Sequence, residues 1–254
     1  MSLPARTGWH WLKAGFGLFR TQPGSLTILL FANLLASLLL STLPIAGPML
    51  TMVLIPSFSM AVLQACAEID HGKRAGLSAL ATGFRMPGVL ALCKLGLVYL
   101  AVSVVLTLLT RSMVNPGFLQ QVAGPIDPAR PPTIAGSDIL AMLGIFALQS
   151  LALILLSFAA PLTHWQKMTP FKATFYSVFA VLGAKRAFAT LLLSWFGLFF
   201  GIAMVATALL GSGNAARVLM VWIVLLFVLL LQCALYAAYR QIFGVPDEPV
   251  AAKS

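Results

Sequence analysis

"GWHWLKAGFGLFRTQPG", residues 8–24, stands directly before the first long apolar run, and how it is read decides the fold. It holds two Trp, two Phe, two Leu, one Lys, one Arg and one His, and no acid. A segment so placed is a targeting peptide, a catalytic element or a piece of the fold. On a helical wheel of about 100° per residue, Leu18, Trp11, Phe19, Leu12, Phe16 and Trp9 fill one half-circle. Arg20, Lys13, Gly17, His10 and Ala14 fill the other. That is the layout of a helix lying in a membrane interface, rings toward the acyl boundary and cations toward the headgroups. Pro23-Gly24 then reads as the bend that turns the chain into the bilayer.

Composition agrees. The chain has 254 residues, of which 60% are hydrophobic and 9% charged, with a mean hydropathy of +0.98. A soluble domain must solvate a polar surface larger than this chain can supply. Runs of about 20 apolar residues, each able to cross a ~30 Å hydrocarbon core, instead predict an all-α, polytopic transmembrane bundle. Six spans are expected, over about 25–42, 49–66, 89–110, 139–160, 187–210 and 218–238. "LPIAG" makes a tight hairpin of the first two, and "GSGNAAR" joins the last two. Pro56 falls near the middle of the second span and is expected to kink it. Residues 1–242 thus form one transmembrane domain, followed by a disordered tail over 243–254. The segment 111–138, with five Pro and three Gly, reads as an irregular outer loop.

The net charge of +10 would point to nucleic acid in a soluble chain. Here no basic cluster forms an independent domain, so no nucleic-acid partner is expected. With the N-terminus inside, twelve cations fall in cytoplasmic segments: Arg6, Lys13, Arg20, Lys73, Arg74, Arg85, Lys167, Lys172, Lys185, Arg186, Arg240 and Lys253. The outer segments carry three, Arg111, Arg130 and Arg217. This bias places both termini in the cytoplasm. The first apolar run is longer than a ~7–15 residue signal core and ends without an A-x-A site, so a retained anchor is expected.

The opening pattern recurs. After the second span, "GLSALATGFR" sets Leu77, Leu80, Ala81 and Phe84 at helical spacing. After the fourth, Thr169 and Pro170 offer an N-cap and first helical position. Phe171, Phe175, Val178, Phe179 and Leu182 follow on one face, Lys172 and Tyr176 lie on the other, and Lys185 and Arg186 end the segment. "FRTQPGSL" (19–26) and "FRMPGVL" (84–90) share local wording, although the third segment lacks Pro-Gly. These features read as three units, each a cytoplasmic interfacial amphipathic helix followed by a transmembrane hairpin. Trp9, Trp11, Lys13, Phe16, Phe19, Arg20, Lys172, Lys185 and Arg186 are the candidate interface with membrane lipids or with a membrane or cytoplasmic protein partner.

Polar groups inside spans are the other candidates, since hydrocarbon offers them no partner. Asn33, Gln149, Gln232 and Lys94 form that set, read as interhelical hydrogen-bonding groups or, alternatively, a polar path for a solute. Lys94, six positions from the inner edge of its span, either snorkels to the headgroups or pairs with Glu68 or Asp70. Gly197 and Gly201 make a GxxxG suited to close helix packing. Trp165, Trp195 and Trp222 read as interface anchors or packing groups.

Reactive groups point nowhere in particular. Cys66, Cys93 and Cys233 are scattered and contain no CxxC. Cys66, Glu68, Asp70 and His71 fit no familiar metal-ligand spacing, so no metal or cofactor is expected. His10, His71 and His164 lie in different segments, none beside a nucleophile, and no P-loop, HExxH or serine elbow occurs. The chain is therefore expected not to be an enzyme.

"GWHWLKAGFGLFRTQP", the hairpin "LLLSTLPIAGPMLTMVLIPSFSMAV" and the following "ACAEIDHGKR" resemble a family of six-span bacterial inner-membrane proteins, mainly betaproteobacterial. A more distant likeness is to YciC-type membrane proteins, which also start with an aromatic amphipathic segment. The resemblance implies an inner-membrane location and carries over no reaction or binding residue. The functional expectation is a non-enzymatic membrane protein whose interfacial helices engage lipid or a partner. The alternative is a transporter or channel for a small or amphipathic solute, which requires Asn33, Gln149 and Gln232 to line one cavity.

Overall fold

The computed structural model describes residues 3–44, 46–76, 78–84, 86, 88–113, 136–211 and 213–246, and among these every regular element is a helix. Most of the expected outer loop over 111–138, the end of the expected tail beyond residue 246, Leu77 and Arg85 lie outside the described residues. In chain order the helices are α1 (Arg6–Thr21), α2 (Pro23–Ser41), α3 (Ala46–Asp70), α4 (Ser78–Thr82), α5 (Gly88–Met113), α6 (Gly136–Leu155), α7 (Ala159–His164), α8 (Pro170–Gly183), α9 (Lys185–Leu210) and α10 (Asn214–Phe243).

Six stretches are long and apolar enough to cross a membrane: Pro23–Ser41, Met49–Asp70, Gly88–Met113, Leu140–His164, Lys185–Leu210 and Asn214–Phe243. They agree with the six expected spans but extend further, because polar residues at the ends continue the helices past the apolar run. Pro56 lies inside α3, which continues as helix on both sides of it. Between α9 and α10 the chain turns on Gly211, whose φ of 65° lies in the left-handed region that costs a side-chain-bearing residue energy.

α1 and α8 are each coupled to the span that follows by a single residue, Gln22 and Ala184. Pro23 occupies the first turn of α2, where its missing N–H costs nothing. The Gln22 side chain clamps this joint, its Nε2 donating to Lys73 O (2.8 Å) and its Oε1 accepting from Ala75 N (3.0 Å). So short a joint leaves α1 no room to fold back along its own hairpin. It lies instead across α9 and α10, while α4 packs on α3 and α8 packs on α5, α6 and α7. Each leading segment therefore rests on the hairpin before it, and the first closes the ring on the third. The leading segments are unequal, however. The second is one five-residue turn, Ser78–Thr82, with Ala79 fully buried and Phe84 set edge-on against Phe58 of α3.

Burial concentrates at the end of the bundle that carries both chain termini. α2 buries Leu26, Leu29 and Asn33, α5 buries Leu92, Leu95 and Gly96, and α9 buries Ala187, Phe188 and Leu191, all within about the first three turns. The opposite halves of these helices display Leu, Val, Ile and Phe at the surface, as a lipid-facing wall does. Where backbones meet most closely, glycine permits it. A Cβ on Gly96 would collide with the Val53 carbonyl of α3, and one on Gly15 would lie 2.5 Å from Ala234 N of α10. Gly197 and Gly201, by contrast, have nothing within 4 Å of a built Cβ. The expected GxxxG packing is thus not made among the described residues; its stripe faces outward while Gly8, Gly15 and Gly96 take that role.

Candidate functional site

The α1 wheel divides differently in three dimensions. Thr7, Gly8, Trp11, Leu12 and Gly15 form the buried face, seated on α9 and α10. Trp11, placed by the wheel among the membrane-facing rings, is only 2% exposed. Its indole stands edge-on to Phe188 (5.3 Å between centroids), and its Nε1 donates to Gln241 Oε1. Phe19 and Leu18 are half-buried against the core. What remains outside is a stripe of alternating aromatics and cations. Trp9 lies under Lys13 Nζ at 5.5 Å, and Phe16 under the Arg20 guanidinium at 5.9 Å. Both pairs have the i, i+4 spacing that puts side chains on one helix face. Glycines 8 and 15, two turns apart with Trp11 between them, were the signal for the docked face.

α8 inverts the usual arrangement. It buries small residues, Ala173, Ser177 and Val181, and exposes Phe171, Phe175, Phe179 and Leu182. Phe171 is 84% exposed. Phe175 and Phe179 lie against each other with rings tilted by 38° and centroids 4.4 Å apart, and Lys172 lies over Tyr176 at 5.7 Å. Lys185 and Arg186, at the start of α9, are exposed beside this face.

A second feature escaped the sequence. The fourth span is broken: helix stops at Leu155 and restarts at Ala159. Pro161 removes an N–H that would have bonded the fourth residue before it, Ser157, so the ladder cannot run through. Ser177 of α8 repairs the gap, its hydroxyl donating to Leu155 O (2.6 Å) and accepting from Phe158 N (3.1 Å). Tyr99 of α5 donates to Leu156 O at 2.8 Å. Non-helical backbone at membrane depth is tolerated only with such internal satisfaction. Pro161 with a nearby serine was the legible clue.

The intramembrane polar residues do not converge. Asn33 is buried and donates from Nδ2 to Phe58 O at 3.2 Å. Gln232 Oε1 accepts from Ser59 Oγ at 3.3 Å. Gln149 is exposed on α6, and Lys94 is exposed on α5 and makes no ion pair with Glu68 or Asp70 among the described residues. Asp70 is held by Arg240 Nη1 at 2.7 Å and by the Tyr236 hydroxyl at 3.1 Å, and Glu68 accepts from Gln64. Gln149 and Gln232 line two adjoining cavities, but Asn33 lines neither, so the three do not share the one cavity required for a solute path.

The remaining polar side chains knit the terminal end together. Trp165 Nε1 donates to Gln64 Oε1 at 3.1 Å, and its ring packs on Tyr239 (4.9 Å) and Tyr236 (6.2 Å). Trp195 donates to Phe227 O at 2.9 Å inside an aromatic group with Phe196 and Phe199, and Trp222 packs on Phe31. Cys66 and Cys233 are free thiols, buried with their sulfurs 3.5 Å apart. His71 Nδ1 lies on its own helix, 2.7 Å from Ala67 O. The cluster of Cys66, Glu68, Asp70 and His71 therefore disperses toward four different neighbours.

A bundle of six apolar helices also has a full-length counterpart. The chain is 32% identical, over 267 aligned positions, to a Burkholderia thailandensis protein named a probable inner membrane protein. The alignment covers 100% of this chain and 96% of that one. This chain belongs to that family. As a member of this inner-membrane family it is a multi-pass protein of the bacterial inner membrane, which accords with the six membrane-length helices. No protein-family model and no solved structure matches it.

Proposed function

We propose that this inner-membrane protein is not an enzyme, and that it acts through α1 and α8 as two surface helices that engage the anionic cytoplasmic leaflet. One observation carries this reading: α8 buries alanine and serine while leaving three phenylalanines and a leucine outside. Intramolecular packing alone does not account for such a face, and a contiguous exposed apolar patch rimmed by cations marks a membrane or partner contact. The Trp9–Lys13–Phe16–Arg20 stripe of α1 has the same chemistry, with rings at the acyl boundary and cations at the phosphates. The charge bias of the sequence supports a cytoplasmic position for both helices and both termini. The aromatic start of α1 also supports the likeness to YciC-type proteins.

Charge reversal of Lys13, Arg20, Lys172 and Lys185 to Glu tests it in the purified full-length protein. The readouts are phosphatidylglycerol retention by native mass spectrometry and lipid partitioning in mixed nanodiscs. Loss of anionic-lipid enrichment, with thermal unfolding unchanged, is the expected result. Unchanged lipid profiles would overturn the lipid reading. Unchanged lipid profiles with loss of a co-purifying protein would assign the faces to a protein partner instead.

A further inference from the structure

Two adjoining cavities open beside the broken fourth span. The outer one, about 260 Å³, lies between α3, α5 and α6 and runs from Tyr99 past Val102 and Leu106 to Gln149. The inner one, about 200 Å³, lies against α9 and α10, between Leu153, Ser157, Leu191 and Gln232. Ile55, Tyr99 and Leu153 line both, so the two form one trench through the middle of the bundle. Its walls are chiefly apolar, and no charged side chain lines either cavity among the described residues.

The polar groups gather at the inner end. The break leaves Ser157 Oγ buried with no hydrogen-bond partner, since Ser177 and Tyr99 satisfy the freed backbone around it. In the same cavity Gln232 spends its Oε1 on Ser59, which leaves its Nε2 without a hydrogen bond among the described residues. A hydroxyl and an amide N–H therefore line one cavity, beside a hydrocarbon-lined trench. From Tyr99 to Leu106 the outer cavity alone extends about 10 Å along α5. Gln232 lies six residues inside the inner edge of the expected sixth span, about 9 Å along the axis. That depth is below the headgroups, where an ionised group is costly and no cation waits to pair with it.

The geometry points to a lipid-binding site for a single long-chain, uncharged amphiphile of the fatty-alcohol or monoacylglycerol class. Its hydroxyl or carbonyl head accepts from Gln232 Nε2 and Ser157 Oγ, and its chain lies along Leu153, Tyr99 and Leu106. A charged fatty acid is excluded by the missing counter-ion, and a phospholipid by the depth of the polar end. The site is independent of the surface helices and stands or falls apart from them.

The test uses the full-length protein in phosphatidylcholine nanodiscs with 1-monooleoylglycerol as probe and oleate as the chain-matched anion. Native mass spectrometry reads stoichiometry, and a diazirine-bearing monoacylglycerol maps the labelled peptides. The expected result is one saturable monooleoylglycerol per chain, with label on the peptides containing Leu153 and Gln232 and no competition from equimolar oleate. Ser157→Ala combined with Gln232→Leu is expected to weaken binding at least tenfold. Ala152→Phe, which fills the outer cavity, is expected to abolish chain occupancy, and unchanged thermal unfolding and elution show that each variant is folded. Label spread over all lipid-facing helices (bilayer acyl chains only), equal competition by oleate, or binding unaltered in folded variants would each overturn the assignment.

Discussion

Replacing Gly15 by alanine tests the docking of α1 most directly. A methyl group there would stand 2.5 Å from Ala234 N, 2.8 Å from Ala234 Cα and 2.9 Å from Cys233 C. All three are backbone atoms and cannot rotate away. Carbon contacts relax at about 3.5–4.0 Å, so α1 must withdraw from α10 by roughly 1 Å. Overpacking of this kind costs about 1–3 kcal/mol. The same withdrawal stretches the bond from Trp11 Nε1 to Gln241 Oε1, worth about 1 kcal/mol. Gly17, on the same helix, has nothing within 4 Å of a built Cβ and supplies the control. Both substitutions gain the same helix propensity, about 1 kcal/mol, so their difference isolates the docking cost. Gly15→Ala is therefore expected to be about 2–4 kcal/mol less stable than Gly17→Ala. The assay is equilibrium unfolding in mixed micelles, with protease accessibility of residues 3–22 as a local probe. Equal stabilities for the two variants would refute the docked geometry of α1.

Further outcomes follow from particular residues. Ser177→Ala strands Leu155 O and Phe158 N in the helix break and is expected to cost about 2–4 kcal/mol. Thr174→Ala, whose hydroxyl bonds only its own helix, is expected to stay within about 0.5 kcal/mol in the same unfolding assay. A double-mutant cycle of Asp70→Asn and Arg240→Gln is expected to give a coupling of about 0.5–1 kcal/mol that shrinks in high salt, because the Arg240 side chain is 43% exposed; a salt-insensitive coupling of several kcal/mol would contradict that exposure. Gly197→Ala with Gly201→Ala is expected to leave unfolding unchanged or slightly improved, since neither glycine meets a neighbour; a large loss would restore the GxxxG reading. Oxidation by diamide is expected to join Cys66 to Cys233 within one chain while Cys93 stays apart, as peptide mapping would read, because the first two sulfurs are 3.5 Å apart.

The sequence by itself determined the class and the number of spans. Hydrophobic run length against bilayer thickness is a one-dimensional constraint, and it survives any tertiary arrangement. The wheel of residues 8–24 overlaps the buried face only in part: Trp11 and Leu12 of its apolar half-circle are buried, while Trp9 and Phe16 are exposed. What it could not tell was what that half-circle faces. An apolar arc suits lipid and protein equally, and only the packing on α9 and α10 turned Trp11 inward and left Trp9 and Phe16 outside. In α8 the same ambiguity resolved the other way: the large residues stayed outside, because Ala173 and Ser177 let the helix sit close against the broken span. The partners of Asn33, Gln232, Cys66 and Asp70 lie on helices 25 to 173 residues away in sequence. Their pairing is set by which helix faces meet, and hydropathy carries no information about that. The trench beside Ser157 belongs to the same category, since a cavity exists only once five elements have taken their places around it.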